Sequence, residues 1–183
     1  MLPMVECEVF LQQKKILVVD DAFAANDIKK ASLVCTSEPL ARFGTCSFGE
    51  VNTHHYVTKS HLDVLRKSQV FLTSEAIVKR HFPMPLECHR IVYREVVFGD
   101  HMTYHVDSKE GQVTAMIYMN ETWDENNRGE TLFMDQNGVG TCVMPKPGRL
   151  LVFDSSLRHT SSSPGRTFFG TRQVLVFNFS SPS

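Results

Sequence analysis

His105-Val106-Asp107 sets an imidazole and a carboxylate two positions apart, and a further imidazole, His159, follows 52 residues after Asp107. On an extended strand, residues at i and i+2 point to the same face. His159 comes just after the apolar run Leu150–Phe153, which reads as a strand. In a closed β fold, strands this far apart in sequence can face one another across the interior. Two imidazoles and one carboxylate would then occupy one face of a metal ion and leave its other positions open, a donor set suited to a reactive Fe(II) centre. His-x-Asp by itself is also compatible with a surface strand carrying two polar residues. The remaining histidines, at 54, 55, 61, 81, 89 and 101, have no comparable partner. The five cysteines (7, 35, 46, 88 and 142) are scattered without a Cys-x-x-Cys pair, so reduced and mostly buried thiols are expected rather than a thiolate metal site. A zinc hydrolase built on the same three ligands lacks a His-Glu-x-x-His motif or a partner base.

These residues need a β framework, and the second half of the chain supplies one. Ile91–Phe98, Val113–Met119, Glu130–Met134, Gly140–Met144, Leu150–Phe153 and Arg172–Phe179 read as strands, separated by turn signals such as Asn126-Asn127, Asn137-Gly138 and Pro147-Gly148. The first half is different. A β-branched run over Lys15–Val19 ends at Asp20-Asp21. Asn26 is placed to cap a helix over 27–35 with Ile28, Ala31 and Leu33 on its apolar side. Residues 41–58 are polar and irregular, with Asn52–Tyr56 read as a plain surface loop or, alternatively, a lid. Ser60–Asp63 resembles a capping box ahead of a short helix, and another helix is expected from Thr73 or Ser74, ending before Pro83. The pattern predicts a mainly β (α+β) fold, a jelly roll or barrel with N-terminal helices packed on one side.

With 183 residues, one domain is expected, its N-terminal strand, helices and possible lid over 1–90 and its β core over 91–183. Lys plus Arg is 19 against 20 for Asp plus Glu, a balance that argues against a dedicated nucleic-acid binder. No apolar run approaches a membrane span, and the N-terminus does not read as a secretory signal, so a cytoplasmic location is expected. Nothing in the sequence specifies an oligomeric state.

Six elements in the right order carry a likeness to a known family. Ile117-Tyr118-Met119-Asn120 looks like that family's Tyr-Leu-Asn strand end, and Gly129-Glu130-Thr131-Leu132-Phe133 like its Gly-Glu-Thr-x-Phe strand. Pro145–Phe153 matches its Pro-x-x-Gly-x-x-x-x-Phe run, and Gly170-Thr171-Arg172 its Gly-x-Arg. Gly99 stands six residues before His105, and Ile16–Asp21 resembles the opening strand. The chain thus resembles the Fe(II)- and 2-oxoglutarate-dependent dioxygenases, most closely the prolyl-4-hydroxylase-like branch. The resemblance implies a double-stranded β-helix (jelly roll, cupin-like) with His105, Asp107 and His159 as iron ligands and catalytic residues. It implies that 2-oxoglutarate chelates the iron and places its far carboxylate on a fixed cation. Arg172 is the expected anchor, because it begins a β-branched strand and can point inward, and the Tyr118 hydroxyl is expected to bond the same carboxylate. Trp123 is expected to pack the turn after the Tyr118 strand. Two departures stand out. Val96 occupies the place of a tyrosine nine residues before the first histidine, for which Tyr93 or Tyr104 could substitute. The 13-residue interval from His159 to Arg172 makes Arg166 a rival anchor.

The expected activity uses Fe(II), 2-oxoglutarate as co-substrate and O2 to hydroxylate a C–H bond of a small molecule, amino acid or natural-product-like, or a short peptide-like substrate, with release of succinate and CO2. An aspartate in the ligand set favours oxygenation over halogenation. One alternative is hydroxylation of a prolyl or other side chain in a protein. Another is a non-catalytic cupin-like metal-binding module, which would not require Arg172.

Overall fold

The computed structural model describes residues 4–37, 55–56, 59–100 and 102–182. Among the described residues, ten strands and three α-helices follow one another as β1 (Val5–Leu11), β2 (Lys14–Asp20), α1 (Ala25–Thr36), β3 (His55–Tyr56), α2 (Lys59–Arg66), α3 (Gln69–His81), β4 (Glu87–Val96), β5 (Val113–Tyr118), β6 (Thr131–Met134), β7 (Gly140–Val143), β8 (Leu150–Asp154), β9 (His159–Ser161) and β10 (Arg172–Ser180). A seven-stranded sheet runs in the order β1-β2-β8-β5-β10-β4-β3, and a three-stranded sheet in the order β7-β6-β9. The sheets face each other as the two layers of a jelly roll, the double-stranded β-helix anticipated from the sequence.

Period-2 alternation assigns each side chain of the large sheet to a face. Leu17, Val19, Ile91, Tyr93, Val113, Ala115, Ile117, Leu150, Val152, Leu175, Phe177 and Phe179 join one core with Ile28, Ala31, Phe71, Ile77 and Val78 of α1 and α3. Their neighbours Ile16, Val92, Met116, Tyr118, Leu151, Phe153, Val174 and Val176 join a second core with Phe133 and Val143 of the small sheet. β5 is buried at all six positions, as a central strand covered on both faces must be. A slip of one residue in any central strand would exchange these two sets, so the double burial fixes the register that aims the polar residues inward.

The strands read from sequence all form, with their ends either unchanged or shifted by up to four residues. Three further strands, β1, β3 and β9, were not read. β1 pairs along its full length with β2 as a hairpin whose turn residues Gln12 and Gln13 have positive φ, and its outward side chains are largely exposed, so it carries little apolar signal. β9 holds His159 itself. Both β1 and β2 lie in the same sheet as strands of the second half.

Helix starts differ most from the sequence expectation. α1 begins before Asn26, with Ala24 at its N-cap and no side-chain cap, and Leu33 is 62% exposed rather than inward. α2 already includes Ser60–Asp63, so these residues do not precede it. α3 starts at Gln69, capped by the Ser68 hydroxyl, which accepts from the Phe71 N–H. Ser74, an expected start, instead donates back to the Val70 carbonyl from inside the helix at 2.7 Å, the alternative use of a serine hydroxyl. α3 ends at His81, ahead of Pro83 as expected. Of the four cysteines described, Cys35 is buried, Cys88 half-buried, and Cys7 and Cys142 exposed, so mostly buried thiols are not found. Among the described residues, no helix is long and apolar enough to cross a membrane.

Candidate active site

His105 and His159 are opposed in an isolated antiparallel bridge, each N–H donating to the other's carbonyl at 2.9 Å. This backbone pair sets the rings side by side, tilted by 49° with centroids 4.5 Å apart. His105 is therefore not on a regular strand. It extends the small sheet by one rung beyond β9, and Asp107 is held by its own N–H to the Ser155 carbonyl at 2.9 Å. Each imidazole Nδ1 faces a carbonyl two residues earlier, Thr103 at 3.0 Å for His105 and Leu157 at 2.9 Å for His159. A carbonyl only accepts, so both Nδ1 atoms carry the hydrogen and both Nε2 lone pairs are left for a metal.

The Asp107 oxygens each lie 3.7 Å from one Nε2, Oδ1 from His105 and Oδ2 from His159. All three donor atoms lie within 4.8 Å of one another. That spacing exceeds a hydrogen bond but suits donors arranged about a cation with metal–ligand distances of about 2.1 Å. The electrostatics agree. Burial pushes the His159 imidazole down to about 4, only partly opposed by Asp107, so the ring is neutral at neutral pH. Burial alone would raise the Asp107 carboxyl, but the attraction of His105 and His159, the Thr114 hydroxyl and the Arg94 charge together hold it well below the usual carboxylate range. A neutral imidazole and an ionised carboxylate are the states a metal requires. Thr114 donates to Asp107 Oδ2 at 2.7 Å, contacts Ser155 Oγ at 2.9 Å and receives the Asn178 amide at 3.1 Å.

Arg172, only 1% exposed, opens β10 and lines the same cavity. Its Nε donates to the Gly129 carbonyl at 2.6 Å and its Nη2 to Thr131 Oγ1 at 2.9 Å. Those bonds use two of the five guanidinium N–H groups. Burial pulls Arg172 below its ordinary value, while the Tyr118 hydroxyl and Glu130 act in the opposite direction. Gly129 has φ +81°, and a Cβ there would sit 2.9 Å from the Trp123 ring and 3.1 Å from Arg172 Cδ, so glycine is required for the arginine stem to pass. Tyr118 is buried, with its hydroxyl 2.7 Å from Thr131 Oγ1 and 3.2 Å from the Val143 carbonyl. The Thr131 hydroxyl thus stands between Tyr118 and Arg172.

Arg166 is exposed in the segment between β9 and β10. Val96 lies directly opposite Arg172 across β4 and β10 and lines the cavity. Tyr93 does not replace the missing tyrosine, because it belongs to the helix-side core and donates to the Glu95 carboxylate at 2.9 Å. Tyr104 instead lies beneath the Arg158 guanidinium, 5.0 Å from the ring centroid. Trp123 packs its turn as expected, donating to the Arg128 carbonyl and meeting Phe168 at 4.9 Å. Of the candidate lid, Asn52–His54 lie outside the described residues, and His55–Tyr56 form β3, paired with Tyr93 and Val92. The polar cavity residues missed from sequence include Arg94, Thr114, Thr131, Thr160, Ser161 and Asn178. The alternation of β4, β5 and β10 was the signal available, since each of Arg94, Thr114 and Asn178 sits in register with inward-facing apolar neighbours.

Residues 88–180 match the family model of the 2OG-Fe(II) oxygenase superfamily, just over half of the chain. The chain belongs to that superfamily. The oxygenase is a 2-oxoglutarate-dependent dioxygenase, and its cofactors are Fe(II), 2-oxoglutarate and O2. It is similar in structure to a Pseudomonas putida prolyl-4-hydroxylase, with TM-score 0.72 and 17% identity over 92% of this chain and 93% of that one. It also resembles SnoN, a non-haem α-ketoglutarate-dependent epimerase from nogalamycin biosynthesis (TM-score 0.69, 13% identity, 91% and 77% covered). EctD from S. alaskensis, solved with 2-oxoglutarate and 5-hydroxyectoine, is a third such neighbour (0.62, 14%, 91% and 72%). At these identities the likeness speaks to the fold. No curated protein sequence matches the oxygenase.

Proposed function

We propose that this oxygenase hydroxylates a C–H bond of a small molecule, amino-acid or natural-product-like, and releases succinate and CO2. In this reading His105, Asp107 and His159 hold Fe(II), and Arg172 holds the far carboxylate of 2-oxoglutarate. The observation that carries it is the meeting of three metal donors within 4.8 Å and a fully buried arginine in one cavity. Bound Fe(II), with 2-oxoglutarate and O2, supplies the oxidising power to insert oxygen into an unactivated C–H bond.

The protein's own residues do the orienting. The two Nδ1–carbonyl bonds lock each imidazole in the tautomer that presents Nε2. Thr114 fixes one Asp107 oxygen, which leaves the other free to turn toward the metal. Arg172 presents a planar fork whose orientation is set by Gly129 and Thr131, and a bidentate pair with a carboxylate is both strong and directional. Tyr118 supports that anchor through the Thr131 hydroxyl. The apolar side chains Val92, Val96, Met116, Phe153, Val174 and Val176 line the remainder of the cavity and limit water around the reacting centre. No side chain needs to act as a general base.

The test is conversion of 2-oxoglutarate to succinate by the Fe(II)-loaded enzyme, measured with a panel of amino acids, small natural products and peptides. Turnover stimulated by a small molecule, with a product heavier by one oxygen, supports the reading. Stimulation confined to polypeptides would move the substrate to a protein side chain.

A further inference from the structure

Asn120 stands two residues past the end of β5, in the Tyr118-Met119-Asn120 run of which the site described above uses only Tyr118. The ladder between β5 and β10 ends where Val174 faces Tyr118, so Arg172 and Gln173 lie beyond it. On their other side these two residues pair with Val96 and Glu95 of β4. One backbone bond continues past the ladder, from the Met119 N–H to the Gln173 carbonyl at 2.9 Å. In a regular antiparallel rung the Gln173 N–H would return to the Met119 carbonyl. Here Asn120 Oδ1 accepts it instead at 2.8 Å, and Asn120 Nδ2 donates to the Thr171 carbonyl at 2.7 Å.

The Thr171 carbonyl belongs to the peptide unit before the Arg172 Cα, and the Gln173 N–H to the unit after it. A single planar carboxamide therefore holds both peptide planes that flank the arginine, and the φ and ψ of Arg172 cannot turn independently. Its partners also fix its orientation, because a peptide N–H only donates and a carbonyl only accepts. An aspartate of the same shape would meet the Thr171 carbonyl with a second acceptor. The consequence falls on the far end of the Arg172 side chain, where a small rotation at the backbone becomes a larger displacement of the guanidinium. A bidentate pair depends on alignment, and a misplacement of ~1 Å can cost ~100-fold. Asn120 is half-buried and belongs to neither apolar core, so these two hydrogen bonds are its contribution to the site.

We infer that Asn120 is a positioning residue for the co-substrate anchor: its carboxamide completes the sheet around Arg172 and so fixes where the guanidinium meets the far carboxylate of 2-oxoglutarate. The inference rests on the reading of Arg172 as that anchor. The Tyr118-Met119-Asn120 run then grips the arginine at both ends, Tyr118 acting on the guanidinium through Thr131 and Asn120 on the backbone.

The test is calorimetric binding to Mn(II)-loaded protein with two probes. One is 2-oxoglutarate. The other is 2-oxopentanoate, which keeps the metal-chelating end and carries a methyl group in place of the far carboxylate. Asn120→Ala should weaken 2-oxoglutarate ~10- to 100-fold, while Mn(II) and 2-oxopentanoate bind as they do to the wild type. Asn120→Asp should also weaken 2-oxoglutarate selectively, because the Thr171 carbonyl loses its donor although the side chain keeps its shape. Wild-type 2-oxoglutarate affinity in either variant would overturn the assignment. So would an equal loss for the two acids, or a loss of Mn(II) affinity in both variants, since either would make Asn120 a support of the fold at large. A wild type that binds the two acids equally would have no anchor for the far carboxylate, and the reading of Arg172 would fail together with the inference. Unchanged 2-oxoglutarate affinity in the Asn120 variants beside a loss in Arg172→Ala would overturn the inference alone.

Discussion

At the scale of single residues, His105 and His159 meet through one pair of backbone hydrogen bonds, and Asp107 joins them through a third. The identity of these side chains was legible in the sequence, because a two-residue spacing and a later histidine suggest a shared metal. Their geometry was only partly legible, since a single bridging rung leaves no run of alternating residues to read. The expected consequence is specific. His159→Ala removes one of three donors, and iron content and succinate-coupled turnover should both be lost; wild-type iron stoichiometry in that variant would refute the ligand role. Thr114→Val keeps shape and removes the hydroxyl that holds Asp107 Oδ2. Metal affinity should fall ~10- to 100-fold, as for other outer partners of ligands, with little change in the circular dichroism spectrum. For the anchor, Arg172→Ala should raise the 2-oxoglutarate Kd by ~30-fold to several-thousand-fold, the loss of ~2–5 kcal/mol from a buried charge pair. Arg166→Ala, in an exposed segment, should leave that Kd near the wild-type value. The reverse ranking would move the anchor out of β10.

Secondary-structure elements explain why some assignments were readable and others were not. The central strands are buried on both faces, so their apolar runs were plain, whereas β1 is an edge strand with exposed side chains and β9 is only three residues long. Helix caps misled because serine and asparagine hydrogen-bond locally in several ways, and Ser74 spends its hydroxyl inside α3. Inward-pointing polar residues on β4, β5 and β10 escaped notice for another reason. Their significance lies in which face of the sheet meets the helices, and pattern alone does not label the two faces. α3 meets the large sheet through Phe71, whose ring stands edge-on to Phe177 at 5.3 Å. Phe177→Ala should cost ~3–5 kcal/mol as a buried aromatic leaving a cavity. For a chain of this length that corresponds to a fall in Tm of ~6–20 °C. Phe169, 98% exposed, should be nearly neutral when replaced by Ala, with a shift of ~2 °C or less. Equal shifts for the two variants would contradict the packing of α3 on β10.

For the whole molecule, the motifs that carry the family likeness run from Ile16 to Arg172 and so begin well before the matched segment 88–180, and the fold accounts for the difference. β1 and β2 extend the same large sheet, and β2 pairs with β8 from Ile16 to Val19, so the N-terminal strand is structurally continuous with the catalytic half. Stability should therefore respond as one unit to protonation at the site. The His159 imidazole is held near 4 in the folded, metal-free protein against an ordinary value of 6.5. Between those values the unfolded chain binds a proton that the folded chain refuses, so unfolding becomes easier as pH falls. The stability tied to a neutral His159 is fully present above about 6.5 and is lost progressively toward pH 4, by ~3 kcal/mol in all. Asp107, held below its ordinary 3.8, adds a loss of the same sign at still lower pH. Thermal melts of metal-free wild type should show Tm dropping between pH 7 and pH 4.5 more steeply than His159→Gln, which has no imidazole to protonate. Saturating Mn(II) should raise Tm most at neutral pH, because the metal binds only the folded site with its ligands deprotonated. Parallel pH profiles for wild type and His159→Gln would show that His159 is not held neutral by the fold, and would remove the electrostatic support for its place beside the metal.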